Sequence, residues 1–428
     1  MVRKTRRQRG SAYIYKGAYG CAFGKPPLKC QGEATRRNSR YISKAMVPHE
    51  AEEELMRSEK FSTIDPRKQY FLYPDSACPL DKTSLIPANG YDRCTIPNIN
   101  LSRPIRLLFS EDGGQNLHKI QPAYESWPAF FTSLTNLFDG LNLAHTNHVA
   151  HCDIKPPNIV SIKRDDGTYH TRFIDFGLSR KTDALTDGDI RLFTRDYVYY
   201  PFEIRLYNRQ YYQDNWSRGN KAGLVERWMK SLTYAKQFLP EFTYWDINGD
   251  PKFDAAAIDQ VVRSLDLRSK AGILERVDIY GLGTTLAEVY HRLVSHVVKK
   301  IPESDEKYAE IPLKLSLAPA ANNDEIIQWH KDVQDRISIP LAVLVYSMTH
   351  VIPSRRPTAA VAKAAYEAIL PAIRALFIKS KLFKCLKPTG ALGFTPNPPN
   401  VNLHVSPNSA QNGSFVSVSS KNSSTKGT

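Results

Sequence analysis

The run His151-Cys152-Asp153-Ile154-Lys155-Pro156-Pro157-Asn158 puts a carboxylate, an ammonium and a side-chain amide within six residues. Moving a phosphoryl group onto a hydroxyl asks for such a set. A carboxylate orients the hydroxyl and takes its proton, a cation sits near the transferred group, and an oxygen ligates a divalent metal. Asp153 and Lys155 are therefore the candidate catalytic pair, and Asn158 a candidate metal ligand. Seventeen residues beyond Asn158 stands Asp175-Phe176-Gly177, preceded by the apolar Phe173 and Ile174. A carboxylate at the end of a short buried strand, followed by a flexible glycine, suits a second metal ligand. Either motif alone is an ordinary turn that contains a carboxylate. In this order, with a strand expected at 159–162 between them, they point to one phosphoryl-transfer site.

The rest of the chain must position these groups. Residues 1–10 read as a basic, flexible tail. From 11 to about 104 the pattern is strand-rich, with one acidic helix expected at 48–61. Beyond 113, helical patterns dominate at 130–145, 277–298, 325–350 and 358–377, the last with Val361, Ala365, Ile369, Ile373 and Leu376 at helical spacing. After Lys387 the composition turns to Pro, Asn, Ser and Gly, which predicts disorder.

With 428 residues, 42% hydrophobic and 24% charged, the chain can bury a core without cross-links. Its six cysteines form no CxxC pair, which argues for reduced thiols in a cytosolic protein and against a zinc site. The apolar run at 339–346 is too short to span a bilayer, and no apolar stretch follows the basic N-terminus to make a secretory signal. A net charge of +15 attracts phosphates, acidic peptides and nucleic acid alike.

Around the two motifs, residues 14–377 resemble the eukaryotic-type protein kinase superfamily. Tyr15-Lys16-Gly17-Ala18-Tyr19-Gly20-Cys21-Ala22 is similar to its glycine-rich loop, with Gly17 and Gly20 at the second and third glycine positions. Tyr15 replaces the first glycine, and Ala22 the usual Val. Such a loop lets backbone N–H groups approach phosphates, with Ala18 between the glycines; taken alone, a glycine pair in a hairpin is the commoner meaning. Tyr41-Ile42-Ser43-Lys44 resembles the strand ending in the lysine that positions ATP. Its partner would be one of Glu52, Glu53 and Glu54; the packing offsets of Leu55, Phe61 and Ile64 favour Glu54, with Glu53 next. The hinge falls at Ser110-Glu111-Asp112-Gly113-Gly114, where backbone groups of Glu111 and Gly113 would meet adenine. Pro201-Phe202-Glu203 resembles the end of the activation segment, with Phe202 in place of Pro. Asp278 opens a segment like the central helix of the larger lobe and would tie down the catalytic loop. Arg356 would pair with Glu203.

The resemblance implies an α+β, bilobal protein kinase fold, with a strand-rich small lobe at 11–112 and a helical large lobe at 113–385. It also implies ATP and Mg²⁺ as cofactors, Mn²⁺ as an alternative metal, and protein substrates phosphorylated on Ser or Thr, since Lys155 follows the base by two. A catalytically inactive scaffold is the alternative; it would have lost Lys44, Asp153, Asn158 or Asp175, and all four are present. Nucleic acid is a secondary partner class, and no membrane partner is expected. The departures are specific. Cys152 replaces the usual Arg that grips an activation-loop phosphate, so activity without that phosphate is expected, although Arg180, Lys181, Arg191 and Arg195 offer other cations. Thr194 is a candidate substrate-loop threonine. A helical insertion at about 204–275 leaves 74 residues between Glu203 and Asp278. The loop, YISK, Ile64-Asp65-Pro66 and Tyr70-Phe71 together look like the protein kinases of large nucleocytoplasmic DNA viruses, which implies an intracellular place, in host cytoplasm or virion, with the nucleus as an alternative.

Overall fold

In the computed structural model, residues 12–378 are described except 17–19, 25–26, 34–39, 86–93, 95–102, 184, 194–196, 232–258, 260–261, 264, 268, 271, 296–327, 330 and 351. The chain divides into units 1–386 and 387–428, and the second lies outside the described residues. The first mixes strand and helix, strand-rich toward its N-terminus and helical beyond.

Five strands, β1 (Ala12–Lys16), β2 (Gly20–Gly24), β3 (Tyr41–Met46), β4 (Ser76–Pro79) and β5 (Arg106–Glu111), form an antiparallel sheet in the order β1-β2-β3-β5-β4. Its register sets Ala22 beside Lys44 and Lys44 beside Leu108. One face buries Phe23, Ala45, Leu107 and Phe109. The other meets helix α1 (Pro48–Ile64) through Met46, Leu108 and Ala51. Pro48 suits the first helical position, where its missing N–H costs nothing. Ala51, Glu54, Ser58 and Phe61 form the buried face of α1 at intervals of three and four. The helix stops at Asp65, whose carboxylate accepts the backbone N–H groups of Gln69, Tyr70 and Phe71 and so fixes the following turn.

The expectation of reduced cysteines fails for four of the six. Cys21 is bonded to Cys94 and Cys30 to Cys78. The partners stand 73 and 48 residues apart, so no local spacing announces them. The sheet and its flanking loops bring their Cα atoms to 5.9 and 5.7 Å, within bonding reach.

Two small sheets, β6 (Gln115–Asn116) with β8 (Ile159–Lys163) and β9 (Tyr169–Phe173), and β7 (Val149–Ala150) with β10 (Arg180–Lys181), hold the loops that carry Asp153 and Asp175. They pack on helices α2 (Trp127–Ser133), α3 (Thr135–Thr146) and, further along the chain, α5 (Ile273–Tyr290); α4 (Lys221–Ser231), α6 (Ile339–Met348), α7 (Ala359–Glu367) and α8 (Leu370–Ile378) belong to the same helical region. The expected helix 130–145 is interrupted at Leu134, where the hydroxyls of Thr132, Ser133 and Thr135 all bond back to carbonyls of the preceding turn. The expected helix 358–377 also splits in two, with Pro371 in the first turn of the second piece and unable to donate backward. Helix α5 is buried nearly all round, as befits the centre of a helical region. Of the expected insertion, 204–217 forms short helical turns and 221–231 is helix α4, with Trp216, Leu224 and Val225 in the main core. Among the described residues, no helix is long and apolar enough to cross a membrane.

Candidate functional site

Lys44 stands on β3, flanked by Ala22 on β2 and Leu108 on β5. Its Nζ donates to Glu54 Oε2 at 2.7 Å and to Asp175 Oδ1 at 3.1 Å. The choice between neighbouring glutamates is thereby resolved geometrically. Glu54 lies on the buried face of α1, whereas Glu53 is exposed and pairs with Arg57. Burial pulls the Lys44 ammonium toward deprotonation, but Asp175 and Glu54 outweigh it and hold its pKa above the ordinary value. Burial likewise opposes the charge on Asp175, yet Lys44 and Lys155 prevail and keep that carboxyl below its usual range.

Asp153 is buried in the turn between β7 and β8. Its Oδ1 accepts from Lys155 Nζ at 2.9 Å, and its Oδ2 from Lys155 at 2.8 Å and from Asn158 Nδ2 at 2.7 Å. Burial raises the Asp153 pKa, and Lys155 partly offsets this. The turn is built from both sides. Asp278, on α5, accepts the backbone N–H of His151 at 2.7 Å and of Cys152 at 2.8 Å. Gly281, one turn further along α5, allows close approach: a Cβ there would meet Ile154 O at 2.8 Å. Cys152 and Asp175 both take left-handed backbone conformations, with φ of 64° and 68°, a strained arrangement for side-chain-bearing residues that surrounding structure must enforce.

An aromatic column links the pieces. Phe61 of α1 lies 4.7 Å from Phe71 and 4.4 Å from Phe176, whose ring is 5.4 Å from His151. The position of α1, the Asp175 turn and the Asp153 loop are thus packed against one another, and Arg57 adds a bond to the carbonyl of Gly177.

Glu203 and Arg356 meet as a buried ion pair, Nη2 to Oε1 at 2.8 Å, off the in-line hydrogen-bond direction. Arg356 also donates to the carbonyls of His350 and Arg276 and lies over the Tyr280 ring.

At the expected hinge, β5 runs on through Ser110 and Glu111, and Glu111 pairs with Arg172 at 3.6 Å. Gly113 has no room for a side chain, since a Cβ would lie 2.4 Å from Val160 Cγ2. In the glycine-rich stretch, Tyr15 pairs with Ala22 along the backbone, and a Cβ on Gly20 would strike Met46. Gly17, Ala18 and Thr194 lie outside the described residues.

Sequence reasoning missed Tyr197, whose ring lies 5.6 Å from Lys155 Nζ, and His151, whose ring accepts the backbone N–H of Asp153 and contacts the carbonyl of Ile174. His151 had a signal, its place beside the acidic motif. Tyr197 had none, because its meaning comes only from the fold of the segment.

The three carboxylates, two lysines and one amide gathered here suit a polyphosphate with a divalent cation. Among the described residues no cluster of three or more His, Cys, Asp or Glu could hold a metal by itself. Asn158 and Asp175 supply two oxygen-bearing side chains, which fits Mg²⁺ held jointly with phosphates and water.

No protein-family model matches the chain. A stretch of 48 residues is 38% identical to death-associated protein kinase 2 of Mus musculus and equally to that of Homo sapiens. It spans 11% of this chain and 13% of each of those relatives, a short and partial kinase similarity.

Proposed function

We propose that the chain is a protein kinase that moves the γ-phosphoryl group of Mg·ATP onto Ser or Thr hydroxyls of protein substrates. The observation that carries this reading is two bonded sets, Lys44 with Glu54 and Asp175, and Asp153 with Lys155 and Asn158, drawn from a sheet, a helix and two loops; they meet where the backbone N–H of Ile174, next to Asp175, donates to the carbonyl of Asn158 and where Lys155 helps hold the Asp175 carboxyl below its usual range. The short similarity to a kinase agrees with it.

The bonds support the following roles. Lys44, held by Glu54 and Asp175, presents its ammonium to the α and β phosphates. Asp175 and Asn158 would hold Mg²⁺, which supplies charge neutralisation on the phosphate oxygens when bound. Asp153 Oδ2 already accepts two donors, whereas Oδ1 accepts one, so Oδ1 is the atom left to orient the acceptor hydroxyl and take its proton. The hydroxyl oxygen forms the new bond to phosphorus as the bond to the bridging oxygen breaks, and ADP leaves with that electron pair. Lys155 balances charge beside the base. The aromatic column and the Asp278 bonds hold the parts in one geometry, which is where proximity contributes to rate.

The test is phosphoryl transfer from labelled Mg·ATP to generic acidic and basic proteins, with phosphoamino-acid analysis. Phosphoserine or phosphothreonine is expected, and Asp153→Asn should bind ATP while losing a factor of about 10² to 10⁴ in turnover. Nucleotide binding without any transfer would replace the enzyme with an inactive scaffold, and phosphotyrosine as the main product would overturn the Ser/Thr assignment.

A further inference from the structure

We propose that Tyr197 is a positioning residue that seats the Lys155 ammonium against Asp153; the inference rests on the kinase reading above. Lys155 Nζ reaches both Asp153 oxygens, at 2.9 and 2.8 Å, and also lies 5.6 Å from the centre of the Tyr197 ring. A cation within about 6 Å of an aromatic face is drawn to it, the more so where water is scarce. The ring is itself fixed. Tyr199 packs 5.1 Å from it and Tyr200 5.3 Å, and both are buried. Tyr197 packs against two clusters, the main core of the helical region and the apolar cluster around Cys152.

A lysine head on a flexible four-carbon stem loses rotamer freedom when it is pinned, and a salt bridge alone leaves it free to swing between the two carboxylate oxygens or toward Asp175. The tyrosine ring closes that freedom from one side. Its attraction does not depend on the charge of Asp153, so the ammonium stays seated as that carboxylate takes the hydroxyl proton. Tyr197 acts through Lys155. The ring face carries the effect, so phenylalanine preserves it and an aliphatic residue does not.

The experiment compares the full chain with Tyr197→Leu, Tyr197→Phe, Lys155→Met and the double variant Lys155→Met/Tyr197→Leu. Transfer to a generic protein acceptor is measured at varied Mg·ATP, with nucleotide affinity measured separately. Tyr197→Leu should lower kcat about tenfold with KM for ATP within about twofold, and Tyr197→Phe should stay within about threefold of the unaltered chain. On the Lys155→Met background, Tyr197→Leu should have no further effect, because the partner through which it acts is gone. The proposal is overturned by an unchanged kcat in Tyr197→Leu, by a Tyr197→Phe loss as large, or by additive effects in the double variant. Collapse of nucleotide affinity together with kcat also overturns it, since the ring would then serve only to hold the segment. An unaltered chain with no transfer activity at all defeats the kinase reading first, and this inference with it.

Discussion

Replacing Arg356 with methionine removes a charge from a place that has no water to replace it. The Arg356 side chain is 0% exposed and that of Glu203 3%. Methionine keeps the apolar stem against Tyr280 and deletes the guanidinium. The Glu203 carboxylate then loses its partner at 2.8 Å, and the carbonyls of His350 and Arg276 lose their donors at 2.8 and 3.3 Å. An uncompensated buried charge costs about 3–5 kcal/mol, and each abandoned carbonyl about 1 kcal/mol. Relaxation and protonation recover part of this, so a net loss of about 4–6 kcal/mol is expected, comparable with the whole stability of many domains. Urea denaturation followed by tyrosine and tryptophan fluorescence measures it.

The pH dependence carries a definite sign. Burial pushes the Glu203 carboxyl above its usual value, and Arg356 pulls the other way. Without Arg356 the folded-state pKa rises further. A raised folded pKa contributes stability that is present below the unfolded glutamate pKa and lost as pH rises through the folded one. The deficit of Arg356→Met relative to the unaltered chain should therefore be smallest near the unfolded glutamate pKa and grow toward neutral pH. Adding Glu203→Gln should recover part of the loss. A deficit under about 1 kcal/mol, or one that shrinks as pH rises, would refute the reasoning.

Asp175→Ala should weaken Mg²⁺-dependent nucleotide binding by at least about tenfold in calorimetry and leave the metal-free fold intact; unchanged Mg·ATP affinity would remove Asp175 from the metal site. Cys94→Ser opens a cross-link spanning 73 residues and should cost about 2–4 kcal/mol in urea denaturation, with a larger loss for the unaltered chain under reductant, which opens the Cys30–Cys78 bond as well. Phosphatase treatment should leave turnover unchanged, and Cys152→Arg should not activate. A drop of about a hundredfold on dephosphorylation, about 2.7 kcal/mol, would contradict this.

What could be read from the sequence was what local order encodes. Asp153, Lys155 and Asn158 sit within one turn of chain, and their types name a chemistry before any fold is known. The buried strand before Asp175 and the helix carrying Glu54 follow from apolar periodicity, although periodicity did not foresee the breaks at Leu134 and before Pro371, which depend on hydroxyls bonding backward and on a ring that cannot donate. Among Glu52, Glu53 and Glu54 the offsets of Leu55, Phe61 and Ile64 favoured Glu54, with Glu53 next. Only the angular position around α1 separates them, and that depends on which face meets the sheet. The disulfides were invisible for the same reason: bonding partners 73 and 48 residues apart become neighbours through strand order, which no spacing records.

Cys152 marks the point where sequence and structure answer different questions. The sequence reveals a missing cation beside the base, and so the loss of an anchor for a loop phosphate. The structure supplies the replacement. Cys152 is 1% exposed and lies in an apolar cluster with Ile190, Phe193, Tyr200, Ile204 and Val277, which packs the segment after Asp175 directly against α5. Burial drives the Cys152 thiol far toward its neutral form, so it acts as a small hydrophobe and not as a reactive thiolate. The described Ser and Thr hydroxyls at 179, 182 and 186 are poorly placed for modification. Ser179 and Thr182 are buried, and Thr186 caps the short helix Asp187–Ile190 through a reciprocal bond with Asp189. A phosphate on Ser179 or Thr182 would have to enter an apolar interior, and one on Thr186 would break that cap beside an aspartate. Arginine at position 152 would force a long charged side chain into the same packed cluster and compete for Asp278, which already accepts the His151 and Cys152 backbone N–H groups, so it should loosen the segment and lower activity. On the kinase reading, this hydrophobic packing would do the ordering that a charge-assisted phosphate contact does elsewhere, which is why phosphatase treatment should leave turnover unchanged.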